Sequence, residues 1–390
     1  MNKSLDSLPK PVLSLCMIVK NEIQNLPRCL ASVKPYVDEM VVVDTGSQDG
    51  TPEIALKSGA KVKNFEWCDD FAAARNYAIS QASGDWILML DADEELVVES
   101  EDFWQQLTSR PEILAYSPTY IEVNDQVDIT PSYRFSLFRN ISELRYVGRY
   151  HEMLMYQNQN FPSTQLSHIE SLTILHYGFS KSQVLQKNLS RNIPILERIR
   201  QSSGLSLKLL YCLAEMYGNT EQQELYEECY AEVFERLLPN LLDGNPPEDF
   251  SFVIPMIYSL GVQSLVQKDY ETARLLAQRG IEWCSNSPEL NYLAGATLRA
   301  LGFLVGAVAY FEKCIQLGRE GSYHTGEPAP YVYMTTYPAY DLGCIYLDLK
   351  RPDEALAAFE LALSFDPNFT EAQEKIHNIK NGEALMPSGI

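Results

Sequence analysis

The sequence predicts an α/β domain with a mainly parallel sheet, followed by an all-α domain of helical repeats. Two observations lead to this fold class. In the first half, short runs rich in β-branched residues alternate with helical patterns, which is typical of βαβ units. From about residue 205 onward, the composition turns helical and repetitive. We therefore expect one domain over residues 1–200 and a second over residues 205–390.

Up to residue 90, the pattern predicts four strands separated by three helices. Apolar and β-branched runs place the strands at 12–19, 39–44, 60–65 and 85–90. Helical periodicity, an N-cap at Thr51 and an alanine-rich stretch place the helices at 26–33, 52–58 and 71–82. Beyond residue 90, we expect further strands, some of them antiparallel, at 113–123, 133–138 and 172–176, and then a long helix at 182–200.

In the second half, small and aromatic residues recur at fixed offsets. The recurring residues of three successive units are Gly261 and Ala273; Gly295, Ala307 and Phe311; and Gly343, Ala355 and Phe359. The last unit follows the tetratricopeptide pattern, since it also has Leu342, Tyr346, Ala362 and Pro367. These matches favour repeats over an irregular helical bundle. They also predict an insertion at 321–330 and a weaker first unit around Ala214 and Tyr217.

The composition is that of a globular protein with a strongly acidic charge. Hydrophobic residues make up 46% and charged residues 21% of the 390 residues, which is ordinary for a globular chain. The net charge of −21 argues against binding to the phosphate backbone of nucleic acids, which requires a basic face. A bound nucleotide diphosphate would have to be neutralised locally, by a metal ion or by a few Arg and Lys side chains.

The cysteines and the N-terminal region favour a cytoplasmic protein. Eight cysteines are dispersed without any Cys-x-x-Cys pair, which predicts reduced and mostly buried thiols. Residues 11–19 are apolar, but the stretch is short and Lys20-Asn21-Glu22 follows at once, so no signal peptide is expected. No apolar stretch reaches the roughly 18 residues that cross a bilayer. We therefore expect no membrane span.

The run 86–90 ends on two carboxylates, Asp91 and Asp93, which it places at the C-terminal end of a buried strand. In an open α/β sheet, ligands bind at that end of the strands. Mg²⁺ and Mn²⁺ prefer oxygen ligands and are commonly held by one or two carboxylates together with substrate phosphates. The pattern predicts a nucleotide-sugar site with a divalent cation. The alternative is a solvated acidic turn that continues into Glu94 and Glu95.

Four segments, in this order and spacing, resemble the family 2 glycosyltransferases over residues 12–200. They are Met17-Ile18-Val19-Lys20-Asn21-Glu22, Val43-Asp44-Thr45-Gly46-Ser47, Asp69-Asp70-Phe71-Ala72-Ala73-Ala74-Arg75-Asn76 and Gly84-Asp85-Trp86 leading into Asp91-Ala92-Asp93-Glu94. The resemblance implies the GT-A fold, which is Rossmann-like, and an inverting, hexosyltransferase-like enzyme. It also implies Asp93 as the main metal ligand. Asp91 would then support the metal site and contact the ribose or a metal-bound water.

Several other residues of these segments are candidates for donor binding. The chain leaves the first strand at the edge of the sheet where a nucleobase and ribose would lie. Backbone groups of Val19, Asn21 and Glu22 could contact them there. Asp44 is a uracil or ribose contact by resemblance, or it initiates its own turn. Arg75 suits a phosphate or a site carboxylate, or forms a surface salt bridge. Of Asp69 and Asp70, one caps the following helix and the other faces the donor; the sequence does not separate them, and we include Asp70 among the candidates.

Downstream, residues 147–152 and 175–178 resemble a subgroup of the family. An inverting transfer needs a base that deprotonates the acceptor, and Glu152 is the candidate, with His151 orienting it or substituting for it. His176 resembles the histidine that, late in the sequence of some GT-A enzymes, completes the metal site. The alternative is a core histidine whose hydrogen bonds are made within the protein. Lys187 and Arg191, one helical turn apart, contact phosphates or form a solvated face. The downstream Glu-Asp or Asp-Asp pair that more commonly provides the base in this family is absent. The identity of the base therefore stays open.

These expectations combine into one predicted activity. The enzyme would transfer a sugar from a nucleotide-diphosphate donor, with UDP expected and Mn²⁺ or Mg²⁺ as cofactor, to an unknown acceptor. The repeats would bind a protein or peptide, which is a candidate acceptor, or a second copy of the chain. The competing class is a non-catalytic scaffold with a degenerate transferase domain. Nucleotidyl transfer is disfavoured because residues 17–22 contain no glycine.

Overall fold

The computed structural model describes residues 10–123, 129–177, 181–247, 252–326 and 328–381. The chain divides into two compact units. Unit 1 comprises residues 1–125 and 131–204, and unit 2 comprises residues 126–130 and 205–390. The domains predicted over residues 1–200 and 205–390 stay predictions. None of the helices in these ranges combines the length and the apolar character that crossing a membrane demands.

Unit 1 contains eleven strands and six α-helices among its described residues. The strands are β1 (Leu13–Val19), β2 (Glu39–Asp44), β3 (Lys61–Asn64), β4 (Trp86–Met89), β5 (Glu94–Val98), β6 (Ala115–Glu122), β7 (Ser132–Tyr133), β8 (Leu137–Arg139), β9 (Leu144–Val147), β10 (Met153–Tyr156) and β11 (Leu166–His176). The helices are α1 (Leu26–Val33), α2 (Thr51–Ser58), α3 (Phe71–Ser80), α4 (Phe103–Ser109), α5 (Lys181–Lys187) and α6 (Ile193–Ser203). A π-helical segment, Asn188–Asn192, joins α5 to α6.

The main sheet has the order β3-β2-β1-β4-β8-β6-β11-β5, with β7 added to β6. The strands β3, β2, β1 and β4 are parallel, as predicted for the first half. Beyond β4 the sheet becomes mixed, because β8 runs antiparallel to both β4 and β6, and β5 runs antiparallel to β11. The strands β9 and β10 form a separate two-stranded sheet. The fold is thus a Rossmann-like, GT-A type α/β arrangement.

Apolar side chains cover both faces of the sheet at its centre. Alternate residues of β1 point to opposite faces, so that Leu15 and Met17 join one core and Cys16 joins the other. The helix α1 packs on the first face through Leu30, and α3 packs on the second through Ala78. With both faces covered, polar side chains that follow β1, β2 and β4 collect at the C-terminal edge of these strands.

Three parts of unit 1 differ from the expectation. The predicted strand 133–138 is interrupted after Tyr133, giving the short strands β7 and β8. The predicted helix 182–200 is broken into α5, a π-helical segment and α6. Strand β5 begins at Glu94, where the sequence pattern left an acidic turn open. For the two strands, tertiary pairing overrides the local pattern, since β5 and β8 find their partners in strands distant along the chain.

The buried carboxylate of Glu39 is expected to make the stability of unit 1 depend on pH. Burial alone would raise its pKa, but bonds from Lys61, Ser14 and Ser83 lower the pKa from 4.5 to about 2. A lowered pKa in the folded state stabilises the fold above the unfolded-state pKa, and this contribution disappears as the pH falls. At about 1.4 kcal/mol per pKa unit, it reaches on the order of 3 kcal/mol at neutral pH.

Urea unfolding of the wild type and of Glu39→Gln, from pH 7 to pH 2, measures this contribution. The variant is expected to be less stable at pH 7 and to approach the wild type as the pH falls from 4.5 towards 2. Asp38→Asn, at the adjacent position where the Asp38 carboxylate accepts the Leu13 N–H, serves as control. A stability difference that stays constant over this range would contradict the prediction.

Unit 2 contains nine α-helices among its described residues, most of them arranged as antiparallel pairs. They are α7 (Leu207–Asn219), α8 (Gln223–Asp243), α9 (Val253–Val266), α10 (Tyr270–Trp283), α11 (Pro288–Ala300), α12 (Leu304–Glu320), α13 (Thr336–Asp348), α14 (Pro352–Phe365) and α15 (Thr370–Asn381). The predicted insertion lies between α12 and α13. Within it, the Ala329 carbonyl accepts the Thr130 N–H at 2.9 Å, and the Ala329 N–H donates to the Thr130 hydroxyl at 2.9 Å.

The repeated glycines of unit 2 lie where a neighbouring side chain fills the space of a Cβ atom. A Cβ on Gly295 would lie 2.8 Å from the Phe311 ring, and a Cβ on Gly343 would lie 2.5 Å from the Phe359 ring. The same offset therefore recurs in two successive units because the second helix of each pair inserts an aromatic ring against the first. This packing is the physical basis of the repeat found in the sequence.

Gly343→Ala is expected to destabilise unit 2 by about 1–3 kcal/mol, because the added methyl group overpacks the Phe359 ring. This cost must exceed the gain of about 1 kcal/mol that alanine has over glycine inside a helix. Urea unfolding followed by the helical circular dichroism signal measures it. In a Phe359→Leu background the same substitution is expected to cost less, and an equal cost in both backgrounds would contradict the packing argument.

Candidate active site

The acidic segment after β4 is buried rather than solvated. Asp93 is 8% exposed and Glu94 only 1% exposed. Glu94 begins β5, where its neighbour in the antiparallel pairing is His176 of β11. The solvated acidic turn that the sequence left open is therefore absent. Two carboxylates in such an environment need cationic or hydrogen-bonding partners, and the surrounding elements provide them.

Two guanidinium groups surround Asp91. Its Oδ1 lies 2.8 Å from Nη2 of Arg75, and its Oδ2 lies 3.9 Å from Nη1 of Arg134. Burial alone would raise the pKa of Asp91, but the two guanidinium groups hold it well below its ordinary value. The Asp91 backbone N–H donates to Oε2 of Glu94 at 2.8 Å. Asp91 is thus held as a carboxylate in a fixed position.

Arg75 connects Asp91 to the candidate base Glu152. Its Nε donates to Oε1 of Glu152 at 2.6 Å, while its Nη2 donates to Asp91. The side chains of Arg75 and Glu152 are only 11% and 12% exposed. The neighbouring His151 is exposed, has a positive φ of 51° and makes an edge contact with the Tyr150 ring. Of the sequence-predicted residues, Arg75, Asp91 and Glu152 therefore form one buried ion-pair network.

Asp93 lies between a histidine and a lysine. Its Oδ1 is 3.7 Å from Nε2 of His176, and its Oδ2 is 3.7 Å from Nζ of Lys187. Burial alone would raise the pKa of Asp93, but the nearby His176 and Lys187 lower it. Lys187 is the last residue of α5 and is partly exposed. The structure thus brings these three predicted residues together.

Pairing of β11 with β6 fixes the orientation of His176. The register places Glu122 beside His176, and Oε2 of Glu122 lies 2.7 Å from its Nδ1. Burial would lower the pKa of His176, but Asp93 and Glu122 together raise it to about 10. A carboxylate on one ring nitrogen is the arrangement that commonly orients a metal-binding histidine, with the other nitrogen facing the ion.

Asp93 and His176 fit one divalent cation, whereas Asp91 is committed elsewhere. With metal–ligand distances of about 2.1 Å, two ligands of one ion lie at most about 4.2 Å apart, and 3.7 Å separates Oδ1 of Asp93 from Nε2 of His176. Within the described ranges, no set of three or more Asp, Glu, His or Cys side chains forms a ready-made metal site. Any further ligands would come from substrate phosphates and water, as is common for Mg²⁺.

A cavity of about 350 Å³ adjoins Asp93. Its volume lies within the range of small-molecule sites. The cavity is lined by Asn21, Glu22, Ile23, Gln24, Asn25, Asp49, Asp93, Gln186 and Lys187. Burial raises the pKa of Glu22, and its Oε2 accepts a hydrogen bond from the Asn25 amide. Four residues predicted for the site, Asn21, Glu22, Asp93 and Lys187, therefore share one cavity.

Val19, Asn21 and Asp44 all form hydrogen bonds with the loop that follows β2. The Val19 carbonyl accepts the Thr45 N–H and hydroxyl at 2.9 and 3.0 Å. The Asp44 carboxylate accepts the N–H groups of Gly46 and Ser47, so that the turn interaction left open by the sequence is present. Oδ1 of Asn21 accepts the Gln48 N–H at 2.7 Å. Donor contacts of these residues stay predictions.

The structure separates the two aspartates before α3. Asp70 is the N-cap, since its Oδ1 accepts the Ala73 N–H at 2.8 Å. Asp69 accepts from the Trp67 indole at 2.9 Å and pairs with Arg198 at 2.8 Å. Neither carboxylate is thereby assigned to the donor, and the role predicted for Asp70 stays a prediction.

Two residues of the site, Arg134 and Glu122, belong to no motif in the sequence. Arg134, which interrupts a predicted strand, contacts Glu94 and donates to the Tyr120 hydroxyl at 2.9 Å. Burial, together with the charge of Asp91, raises the pKa of Glu94 against the effect of Arg134. Glu122 orients His176. Finding Glu122 from the sequence requires the register between β6 and β11, which no local pattern encodes.

Comparisons with known proteins match both halves of the chain. The model of glycosyl transferase family 2 matches residues 14–163, and a tetratricopeptide repeat model matches residues 337–369. A TPR repeat-containing protein of Synechococcus elongatus is 45% identical over 49% of this chain and 46% of that protein. The chain thus spans about half the length of that relative. Part of the chain also matches a crystal structure of Mycobacterium tuberculosis glucosyl-3-phosphoglycerate synthase with Mn²⁺, UDP and glucosyl-3-phosphoglycerate. The match covers 28% of this chain and 44% of that chain, with 24% identity and a TM-score of 0.24.

In a further match, the aligned region covers most of the relative's length. It is an uncharacterized glycosyltransferase of Rickettsia conorii, 31% identical over 58% of this chain and 74% of that protein. The match with the family 2 model includes β1, β2 and β4 with the loops that carry the aspartates described above. The chain therefore belongs to glycosyl transferase family 2 and carries a tetratricopeptide repeat in its C-terminal part.

Proposed function

We propose that the protein is an inverting glycosyltransferase that uses a nucleotide-diphosphate sugar, with UDP as the expected nucleotide. The observation that carries the proposal is the position of Asp93. This carboxylate is buried at the end of a sheet strand, borders a cavity of about 350 Å³ and has a basic group 3.7 Å from each of its oxygens. In a protein with a net charge of −21, this local set of charges can receive a diphosphate.

Asp93 and His176 would hold Mn²⁺ or Mg²⁺, and Glu122 would keep the His176 ring in place. The bound cation would neutralise charge that develops on the departing diphosphate. Lys187 lines the same cavity and adds a positive charge for the phosphates. Asp91 would support the site through its fixed position rather than as a metal ligand, because Arg75 already binds one of its oxygens at 2.8 Å.

Glu152 is proposed as the general base on the acceptor side. Its Oε1 accepts a hydrogen bond from Nε of Arg75 at 2.6 Å, which fixes the position of the carboxylate that would accept the proton. As the acceptor oxygen bonds to the anomeric carbon, the bond from that carbon to the diphosphate oxygen breaks. The nucleoside diphosphate leaves with the electron pair, and the hydroxyl proton passes to Glu152. Attack from the face opposite the leaving group inverts the anomeric carbon.

Unit 2 is proposed to bind a protein or peptide, or a second copy of the chain. Stacked helical repeats form extended concave surfaces that proteins use for binding. Size-exclusion chromatography with light scattering tests self-association of the full chain. A monomer at all concentrations would leave a protein or peptide partner as the expected occupant.

Calorimetry of the full chain with UDP-glucose, UDP-galactose, UDP-N-acetylglucosamine and GDP-mannose, each with and without Mn²⁺, tests the donor site. We expect saturable binding of a UDP sugar that requires the metal and is reversed by EDTA. Proton NMR of the product then reports the anomeric configuration. Binding that is independent of metal would contradict the proposed site, and no binding of any donor would favour the non-catalytic scaffold.

A further inference from the structure

Two guanidinium groups near the candidate base have no carboxylate partner among the described residues. They belong to Arg149, which precedes Tyr150 and the candidates His151 and Glu152, and to Arg191 of the π-helical segment. The Arg149 side chain donates a hydrogen bond to the Cys68 carbonyl, and the Arg191 side chain donates one to Oδ1 of Asn192. The chain has 52 acidic and 31 basic residues, so an arginine has many potential partners. Two arginines without one, on segments that both contact Phe71, therefore call for an explanation.

Both arginines contact Phe71, the first residue of α3: Arg149 through its backbone carbonyl and Arg191 through its guanidinium. The Phe71 N–H donates to the Arg149 carbonyl at 3.0 Å, which fixes the backbone of Arg149 beside this ring. The Arg191 guanidinium lies 5.2 Å from the centre of the Phe71 ring. The nearby Arg198 is neutralised by Asp69 at 2.8 Å and does not belong to this pair.

Aromatic rings continue from this pair towards Glu152. Trp67 lies 4.8 Å from Phe71, and Phe71 lies 5.8 Å from Tyr150, both measured between ring centres. All three rings are half-buried, so part of their surface faces solvent. We call Trp67, Phe71, Arg149, Tyr150 and Arg191 together the Phe71 patch. Phe71 lies one helical turn before Arg75, the residue that binds Glu152 at 2.6 Å.

The position of Arg191 is built into the fold. Asn188 and Asn192 are buried, and the Asn192 amide donates to Oδ1 of Asn188 at 2.9 Å. The Arg191 Nε donates to Oδ1 of the same Asn192, also at 2.9 Å. These bonds lie within the π-helical segment, a rare conformation that occurs frequently at functional sites. The guanidinium is thus oriented by buried amides.

We propose that the Phe71 patch is the acceptor subsite and that it takes a sugar carrying an anionic group, a phosphate or a carboxylate. The inference rests on the proposed glycosyl transfer, because it assigns the acceptor side of that site. Guanidinium groups bind phosphates and carboxylates through paired N–H donors. Aromatic faces supply the apolar contact that is typical of small-molecule sites. The anion would hold the acceptor while one of its hydroxyl groups reaches Glu152.

Binding of three probes to the full chain tests the proposal: glucose 6-phosphate, glucuronate and glucose. We expect saturable binding of one or both anions, observed by calorimetry or ligand-detected NMR, with glucose binding much more weakly. In Arg149→Gln/Arg191→Gln, the affinity for the anion should fall about tenfold or more. The wild-type affinity should also fall when NaCl is raised. The two anions distinguish a phosphate from a carboxylate as the recognised group.

Arg274→Gln/Arg351→Gln provides the matched control. It removes the same charge from exposed pairs with Glu271 and Glu354 in unit 2 and should bind the anions like the wild type. Equal anion affinity in Arg149→Gln/Arg191→Gln, or no anion binding to the wild type, would overturn the proposal, and so would loss in both double variants. Binding of UDP with Mn²⁺, measured in parallel, separates the two claims. A protein that binds UDP but no anionic sugar would keep the donor site and lose this acceptor subsite.

Discussion

Asp93→Asn is expected to abolish metal-dependent donor binding and to reduce glycosyl transfer by about a hundredfold or more. The substitution preserves the size of the side chain but removes the charge that faces His176 and Lys187 at 3.7 Å. Without it, His176 would be the one remaining protein ligand proposed for the cation. The two basic groups would also lack the carboxylate that fixes their positions.

Calorimetric titration of UDP in the presence of Mn²⁺ measures this effect directly. Asp85→Asn is the matched control because Asp85 precedes the same strand at its other end and accepts the Val12 N–H at 2.9 Å, a bond that an amide oxygen can also accept. We expect the control to bind UDP like the wild type. If Asp93→Asn retained metal-dependent affinity, the metal would have to bind elsewhere in the protein.

The parts of the fold that the sequence predicts best are those whose signal is local. Strand β2 is predicted with its observed bounds because Met40-Val41-Val42-Val43 is a continuous β-branched and apolar run, and all four residues are buried. The repeats of unit 2 are recognisable for a related reason, since Gly295 and Gly343 each face an aromatic ring at the same distance along the chain. These features need no knowledge of the tertiary structure.

Only some residues of the site lie in local sequence motifs, and this explains which residues could not be predicted from the sequence. Asp91, Asp93 and Arg75 belong to motifs, so they could be proposed from residue order. Glu122 and Arg134 reach the site only through strand pairing, and Glu122 lies 54 positions before its partner His176 in the sequence. The same applies to the π-helical segment, whose sequence continues a helical pattern but whose backbone places Arg191 against Phe71. Such contacts follow from register and packing.

Arg75→Gln is expected to destabilise unit 1 by about 3 kcal/mol or more and to reduce transfer. The Arg75 guanidinium binds Oδ1 of Asp91 at 2.8 Å and Oε1 of Glu152 at 2.6 Å. Removing the cation from a buried pair leaves an uncompensated charge, at a typical cost of about 3–5 kcal/mol. Arg134 remains 3.9 Å from Asp91 and would compensate part of that cost. Urea unfolding at pH 7 measures the change.

Arg198→Gln is the comparison for this prediction, since Arg198 forms a more exposed ion pair with Asp69 in the same unit. Its loss should cost less than about 1 kcal/mol. A second comparison separates stability from catalysis: in Arg75→Gln/Glu152→Gln, removing the unpaired carboxylate should recover part of the stability. If Glu152 is the base, transfer should stay low in this double variant despite the recovered fold. Recovery of transfer together with stability would exclude Glu152 as the base and leave His151 as the candidate.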